Sequence, residues 1–342
     1  MRERRGQRMN KVWYGGGAAP LWLRVAARVF GALALMRGGM YRRGLLHSRK
    51  LAVPVVVVGN LTVGGTGKTP LTVALAALLL RLGRKPGIAT RGHGRRSKSL
   101  RMVRADSTWQ QVGDEPLLLH RRTGVPVCVA TRRSEAAHAL MAQGCDVILC
   151  DDGLQHMALA RDLEIAVIDG ARGFGNGQLL PAGPLREPLQ RLAAIKLLVI
   201  NGEPCAQLEP VARRALRMTL HGNQVRPLVG QGSAVPLSQF VGQPVHALAG
   251  IGNPERFFAQ LRAAGLQVIE HPFADHHAFT AADLNMGDGL PLLMTEKDAV
   301  KCAAFGAAGQ WYLPVEAGFD AADEKRLIVA LSALPHRGAA HS

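Results

Sequence analysis

The chain has 342 residues, 48% hydrophobic and 20% charged, a globular balance that excludes a disordered polymer and leaves room for one large domain or two smaller ones. Five cysteines (Cys128, Cys145, Cys150, Cys205 and Cys302) form no CxxC pair, which fits buried thiols in a reducing compartment and excludes a zinc ribbon. The net charge of +17 is unevenly placed: residues 1–50 hold twelve Lys/Arg against Glu3 alone, +11, leaving +6 over the other 292 residues. Such a basic region takes nucleic acid or an anionic membrane surface as its partner, or simply solubilises a tail.

Residues 18–36 (AAPLWLRVAARVFGALALM) are apolar but interrupted by Arg24 and Arg28, so the longest charge-free stretch after them is Val29–Met36. A spanning helix needs about 20 apolar residues. The stretch is also too short for the apolar core of a signal peptide, although Ala32-Leu33-Ala34 imitates a cleavage site. On a helix, Arg24 and Arg28 share one face while Trp22, Val25, Val29, Leu33 and Met36 fall on another. That pattern predicts an interfacial amphipathic helix; the alternative is a helix packed on the protein's own core.

Val53–Val58 reads as a strand buried on both faces, followed by a Gly-rich turn and a helix from about Thr69 to Leu82. Strands are expected at Gly87–Thr90, Pro126–Ala130, Asp146–Cys150, Glu164–Asp169 and Lys196–Asn201, with helices between several of them, such as Ser134–Gln143. This alternation predicts an α/β fold with a mostly parallel sheet and helices on both faces. After an irregular stretch, strands at Val245–Gly250, Gln267–His271, Pro291–Thr295 and Gln310–Pro314 and a helix at Pro254–Ala264 suggest a smaller C-terminal α/β domain. The expected divisions are 1–50 for the basic amphipathic segment, 51–236 for the first domain and 237–342 for the second.

The strongest motif is Thr62-Val63-Gly64-Gly65-Thr66-Gly67-Lys68-Thr69, between a strand and a helix. Glycines let backbone N–H groups turn onto phosphate oxygens, and the helix N-terminus adds its dipole. Lys68 is placed to reach the β- and γ-phosphates and the Thr69 hydroxyl to ligate Mg²⁺. Thr62 stands where a strict phosphate loop has its first glycine. Guanine recognition usually needs Asn/Thr-Lys-x-Asp; Thr295-Glu296-Lys297-Asp298 has its lysine one position late, which favours ATP.

Acidic residues close several of these elements. Val147–Cys150 ends in Asp151-Asp152, a Mg²⁺-binding position or a helix cap. Glu164–Asp169 ends in a second acid, equally readable as an ordinary turn residue. Asp114 and Glu115, in Gly113-Asp114-Glu115-Pro116, are placed to cap a helix over Leu117–Arg122. Arg91-Gly92-His93-Gly94-Arg95-Arg96 reads as a phosphate contact or a solvated basic turn. Asp275-His276-His277, by itself, reads best as a loop.

Taken together, these motifs resemble the tetraacyldisaccharide 4′-kinase (lipid A 4′-kinase) family. The resemblance runs nearly end to end, through Val55–Thr62, Gly64–Thr69, Gly113–Pro116, Asp151–His156 (DDGLQH), Val167–Gly170, Phe174–Gly177, Leu180–Glu187, Ala249–Gly252 and Thr295–Lys301. The family shares the departure at Thr62. It usually has Arg-Gly-Tyr-Gly where this chain has His93 in the Tyr place. The resemblance implies ATP- and Mg²⁺-dependent phosphorylation of the 4′-hydroxyl of a tetraacylated glucosamine disaccharide 1-phosphate. It also implies two α/β domains and a membrane-interface helix, at the cytoplasmic face of the inner membrane and bound peripherally or monotopically. It assigns Asp114 as the catalytic carboxylate, His276 as its partner from the other domain, and Glu115, Asp151 and Asp152 with Thr69 as the Mg²⁺ shell. Neither a nucleic-acid partner nor an obligate protein partner is expected. The competing readings are a soluble small-molecule P-loop kinase, for which the N-terminal helix is dispensable, and a DNA-associated P-loop ATPase.

Overall fold

The computed structural model describes residues 9–230 and 232–336; of the N-terminal basic cluster, Arg2, Arg4, Arg5 and Arg8 lie outside them. After a helical segment at 9–14, the chain runs through α1 (Leu21–Arg42), β1 (Val55–Gly59), α2 (Lys68–Arg81), β2 (Pro86–Thr90) and β3 (Arg101–Met102). Then come α3 (Asp114–Thr123), β4 (Val127–Val129), α4 (Arg133–Ala142), β5 (Val147–Cys150), β6 (Leu163–Asp169), β7 (Leu197–Asn201) and β8 (Leu216–His221). The remainder holds β9 (Gln224–Pro227), β10 (Val235–Pro236), β11 (Pro244–Ala249), α5 (Pro254–Ala263), β12 (Gln267–Pro272) and β13 (Leu292–Thr295). It ends with α6 (Glu296–Cys302), β14 (Gln310–Leu313), β15 (Glu316–Gly318) and α7 (Ala321–Ser332).

Nine strands form one sheet in the order β15-β8-β7-β6-β1-β5-β2-β4-β3, parallel from β8 to β4, with the antiparallel edge strands β3 and β15. β1 lies near its centre and is buried throughout. Because side chains alternate along a strand, Val56 and Val58 join one core with Leu71, Leu75 and Leu79 of α2. Val55 and Val57 join another with Ala136, Ala137 and Leu140 of α4, on the opposite face. Each fully buried Val or Leu contributes roughly 1.5–3 kcal/mol, so this alternation is what fixes β1 beneath the loop that follows it.

The second sheet has six strands in the order β10-β9-β14-β13-β11-β12. α5 covers one face through Phe257, Phe258 and Leu261; Phe279, Leu284 and α6 cover the other. This sheet begins before the boundary expected at residue 237: β9 pairs with β14, and Val225 lies in the second core. Moreover, the chain does not end there. β15 pairs with β8 of the first sheet, and α7 buries Leu327 and Leu331 in the first core. The second domain is therefore inserted between β8 and β15. The connections that enter and leave it touch, since a Cβ on Gly222 would stand 2.7 Å from the Pro314 carbonyl oxygen.

Among the described residues, no helix is long and apolar enough to cross a membrane. α1 buries Leu23, Ala27, Gly31 and Gly38, with Leu23 and Ala27 packed beside Ala182. A Cβ on Gly31 would stand 2.6 Å from Leu179 Cδ1, so glycine is what allows this close approach. Leu21, Trp22, Val25, Val29, Leu33 and Met36 are all more than half exposed, alongside the exposed Arg24 and Arg28. The apolar row thus faces away from the protein core.

Candidate active site

The phosphate loop leaves the C-terminal end of β1 and enters α2 through Gly67, whose φ of +97° favours glycine. A Cβ at Gly67 would also stand 2.4 Å from Asn201 Nδ2. That amide, at the end of β7, donates to the Thr66 carbonyl at 3.0 Å. Lys68 donates to Asn60 Oδ1 at 3.1 Å and lies 3.6 Å from Asp152 Oδ1. Thr62, Val63 and the loop's mouth are tied down by the Val63 N–H, which donates to the Pro184 carbonyl at 2.9 Å, and by a bridge between Thr62 and Leu185.

The adjacent parallel strand β5 delivers Asp151 and Asp152 to the same end of the sheet. Asp152 has a left-handed backbone, φ +49°, and receives both of its 3.0 Å contacts from Arg186 Nη1. Burial opposes its ionisation, but Lys68 and Arg186 outweigh it and hold the carboxyl at about 2. Asp151 is 1% exposed. Burial, then the charge of Glu115, pushes its carboxyl up to about 7 against the pull of Lys68. Thr72 Oγ1 lies 3.4 Å from Asp151 Oδ1, while Asp151 Oδ2 and Thr66 Oγ1 are buried without a protein hydrogen-bond partner.

α3 supplies the opposite wall. Gly113, at φ +97°, turns the chain so that the helix starts at Asp114 itself, earlier than the cap position the sequence suggested. α3 packs beside α6 of the second domain, where Arg122 donates to Glu296 Oε2 at 2.9 Å. This pairing brings Asp114 to His276: Nδ1 lies 2.9 Å from Oδ2 and 3.2 Å from Oδ1. Burial alone would raise the Asp114 carboxyl, yet the His276 hydrogen bond and the Lys297 charge hold it well below the usual carboxylate range. Burial likewise disfavours protonated His276, but Asp114 more than offsets this and raises its pKa.

His276 is one of two described non-glycine residues with positive φ, at +61°; its N–H donates to the Gly250 carbonyl at 3.2 Å. A histidine held in this sparsely populated region marks a position where placement outweighs local comfort. His93 lies against it, ring centroids 4.6 Å apart and planes tilted by 42°. Read in isolation, Asp275-His276-His277 favoured a loop role; the family resemblance paired His276 with Asp114, and the structure brings the two side chains together.

Two residues carry contacts that sequence reasoning left unassigned. Lys297 donates to Glu115 Oε1 at 2.9 Å and Asp275 Oδ1 at 3.3 Å, and its Nζ lies 3.4 Å from His276 Nε2. Burial disfavours its charge, but these carboxylates and Asp114 raise it well above an ordinary lysine. Its signal in the sequence was the near-miss Thr295-Glu296-Lys297-Asp298. The other is Arg186, which engages Asp152 and sits within the quoted Leu180–Glu187 run.

A cleft of about 400 Å³ joins these parts, lined by Val63–Thr69, His93, Glu115, Asp152, His276 and Lys297. A groove of about 1150 Å³ runs below α1, lined by Phe30, Leu33, Tyr41, Met157 and Leu159 with Arg37, Arg42 and Arg191. Arg186 lines both. Among the described residues, no three His, Cys, Asp or Glu side chains form a metal-binding set by themselves. A phosphate-loop Mg²⁺ does not need one, because it takes a hydroxyl, a carboxylate, phosphate oxygens and water. The open Asp151 Oδ2 and the small-residue loop fit that pattern; Asp152 and Glu115 are already paired with cations.

Comparison with known proteins agrees with this geometry. The chain is 48% identical over 341 residues to the tetraacyldisaccharide 4′-kinase of Xanthomonas axonopodis pv. citri, covering 98% of this chain and 99% of that protein. It is 48% identical over 324 residues to that of Stenotrophomonas maltophilia, covering 93% and 95%. The crystal structure of LpxK from Aquifex aeolicus in complex with ATP superposes with a TM-score of 0.73 at 29% identity, over 89% of this chain and 96% of that one. Residues 19–333 match the family model for tetraacyldisaccharide-1-P 4′-kinase, and the chain belongs to that family.

Proposed function

We infer that this chain transfers the γ-phosphoryl group of ATP to the 4′-hydroxyl of a tetraacylated glucosamine disaccharide 1-phosphate. The observation that carries the reading is the placement of Lys68 and His276 on one cleft between the two domains, with buried Asp114 hydrogen-bonded to His276 behind its wall. Thr62–Thr69 cradle the phosphates through backbone N–H groups, and Lys68 neutralises charge at the transferring group. Thr69 and Asp151 would hold Mg²⁺, with Asp152 and Glu115 nearby; the ion would supply charge neutralisation to the nucleotide phosphates. Arg186, common to cleft and groove, is placed between nucleotide and acceptor.

Asp114 accepts the proton of the attacking hydroxyl as the new O–P bond forms and the bond to the departing ADP breaks. His276, hydrogen-bonded to the same carboxylate, takes that proton on. The pair therefore titrates as a unit rather than as a free carboxylate and a free imidazole. Closure of the second domain over the first excludes water, which otherwise competes with the hydroxyl.

The exposed apolar row of α1, beside Arg24 and Arg28, supports seating on an anionic bilayer. The groove beneath α1 then receives acyl chains from that surface. Use of ATP and five free cysteines support a position at the cytoplasmic face of the inner membrane. Three functional parts follow from this reading: an N-terminal anchor, a nucleotide domain completed by β15 and α7, and a capping domain inserted between β8 and β15. The decisive experiment is incubation with labelled ATP and the lipid A precursor. The expected product is the acceptor heavier by one phosphate; DNA-stimulated ATP hydrolysis without transfer would overturn the reading.

A further inference from the structure

β6 ends in Asp169, a carboxylate 1% exposed at the C-terminal edge of the first sheet. Its Oδ1 accepts the Arg172 backbone N–H at 3.1 Å, and its Oδ2 accepts Arg172 Nε at 3.1 Å. From the second domain, Arg256 Nη2 approaches Oδ2 at 2.8 Å and Asn253 Nδ2 at 3.3 Å. With its Nε held, the Arg172 guanidinium reaches two carbonyls: Nη1 donates to Gly252 at 3.1 Å and Nη2 to Gly65 at 3.2 Å. Gly65 belongs to the phosphate loop and Gly252 to the second domain, and the two backbones touch. A Cβ on Gly252 would stand 2.5 Å from the Gly65 nitrogen. Tyr14 covers a face of the same guanidinium, with its ring centroid 5.2 Å from the Arg172 Cζ.

We propose that Arg172 is a positioning residue that fixes the phosphate loop in its ATP-binding form by clamping the Gly65 carbonyl against the second domain. The stereochemistry is direct. In a trans peptide the C=O and the following N–H point in opposite directions. A guanidinium holding the Gly65 carbonyl on the outer side of the loop therefore keeps the Thr66 N–H turned inward. Asn201 does the same for the next peptide by holding the Thr66 carbonyl, which turns the Gly67 N–H inward. Two successive inward N–H groups are what an anion-binding loop needs. Arg172 does not itself line the cleft, so it acts through the loop.

This inference rests on the reading of Thr62–Thr69 as the ATP site, and the test separates the two. Binding of Mg-ATP is measured by calorimetry on full-length Arg172→Ala, Arg172→Lys and Lys68→Ala proteins, alongside urea unfolding and kinetics with lipid substrate. Loss of a charged hydrogen bond predicts that Arg172→Ala weakens ATP binding and raises the KM for ATP by about tenfold. The KM for lipid should stay near the wild-type value. Arg172→Lys, which reaches one carbonyl rather than two, should fall between. A folded Arg172→Ala protein with wild-type ATP affinity, or one losing only kcat, overturns the proposal while a Lys68→Ala defect leaves the ATP site standing. Should Arg172→Ala fail to fold, Arg172→Lys carries the test, and wild-type ATP affinity in it is the overturning result. Tight ATP binding by Lys68→Ala with normal turnover would instead remove the site reading itself.

Discussion

His276 Nδ1 and Asp114 Oδ2 stand 2.9 Å apart although 162 residues separate them, one in each domain. Residues that work as a unit are not independent under mutation. Asp114→Ala and His276→Ala should each lower kcat by about 10²–10⁴-fold, the usual scale of general-base help, with little change in the KM for ATP. The double variant should lose much less than the product of the two. A double-mutant cycle on kcat with lipid substrate checks this, and full additivity would dissolve the pair.

The same contact sets a pH dependence. Asp114 raises the pKa of His276, so the base form of the pair is reached only above the ordinary histidine value of about 6.5. Activity should therefore rise with pH through that raised value. For stability the sign is opposite: a raised folded pKa contributes fully below the unfolded pKa and is lost as pH rises through the folded one. His276→Gln should move the acid limb of kcat/KM and flatten this part of the stability profile. Unchanged profiles in both measurements would argue that His276 does not titrate in the working range.

Lys68→Ala should remove most phosphoryl transfer and leave the fold intact. The charge it supplies acts in a dry cleft, where its loss costs several powers of ten in rate. Rate measurement together with an unchanged unfolding curve makes the check.

Lys297 gathers Glu115 from across the domain interface and Asp275 from its own domain. Lys297→Met leaves those carboxylates in a largely buried place without their cation. Breaking such a pair should cost on the order of 3 kcal/mol, read by urea denaturation. Activity should also fall, because the wall that presents His276 loosens. A variant as stable as the parent would show that water replaces the ammonium at little cost.

For the membrane surface, Trp22, Val25, Val29 and Leu33 offer a direct test, because changing them leaves the inward-facing Leu23 and Ala27 in place. Replacing all four with Ser should reduce binding to anionic vesicles by at least about tenfold, since burial of even one such side chain contributes roughly 1.5–3 kcal/mol. High salt should weaken the parent as well. Equal sedimentation of parent and variant would move the anchor elsewhere.

Much of this was legible in the residues. β1, the phosphate loop, Asp151 and α1 each carry a local signal: a β-branched run, glycines before a lysine, an acid closing a strand, an apolar row beside arginines. Lys297 and Arg172 were not legible, because what they do depends on which backbone lies opposite them. The start of the second sheet was missed for a related reason. β9 and β10 are short and include Pro227 and Pro236, so neither gives a periodic pattern long enough to read.

Insertion of the second domain between β8 and β15 has a consequence for how the protein is made. α7, which completes the first core, is synthesised only after the whole of the capping domain. The nucleotide domain therefore waits, unfinished, while the capping domain is synthesised. A premature stop just before α7 would spare every residue lining the cleft and still strip Leu327 and Leu331 from the sheet beneath it. Nascent chains arrested at that point should be held by chaperones or degraded rather than released as a partly active enzyme.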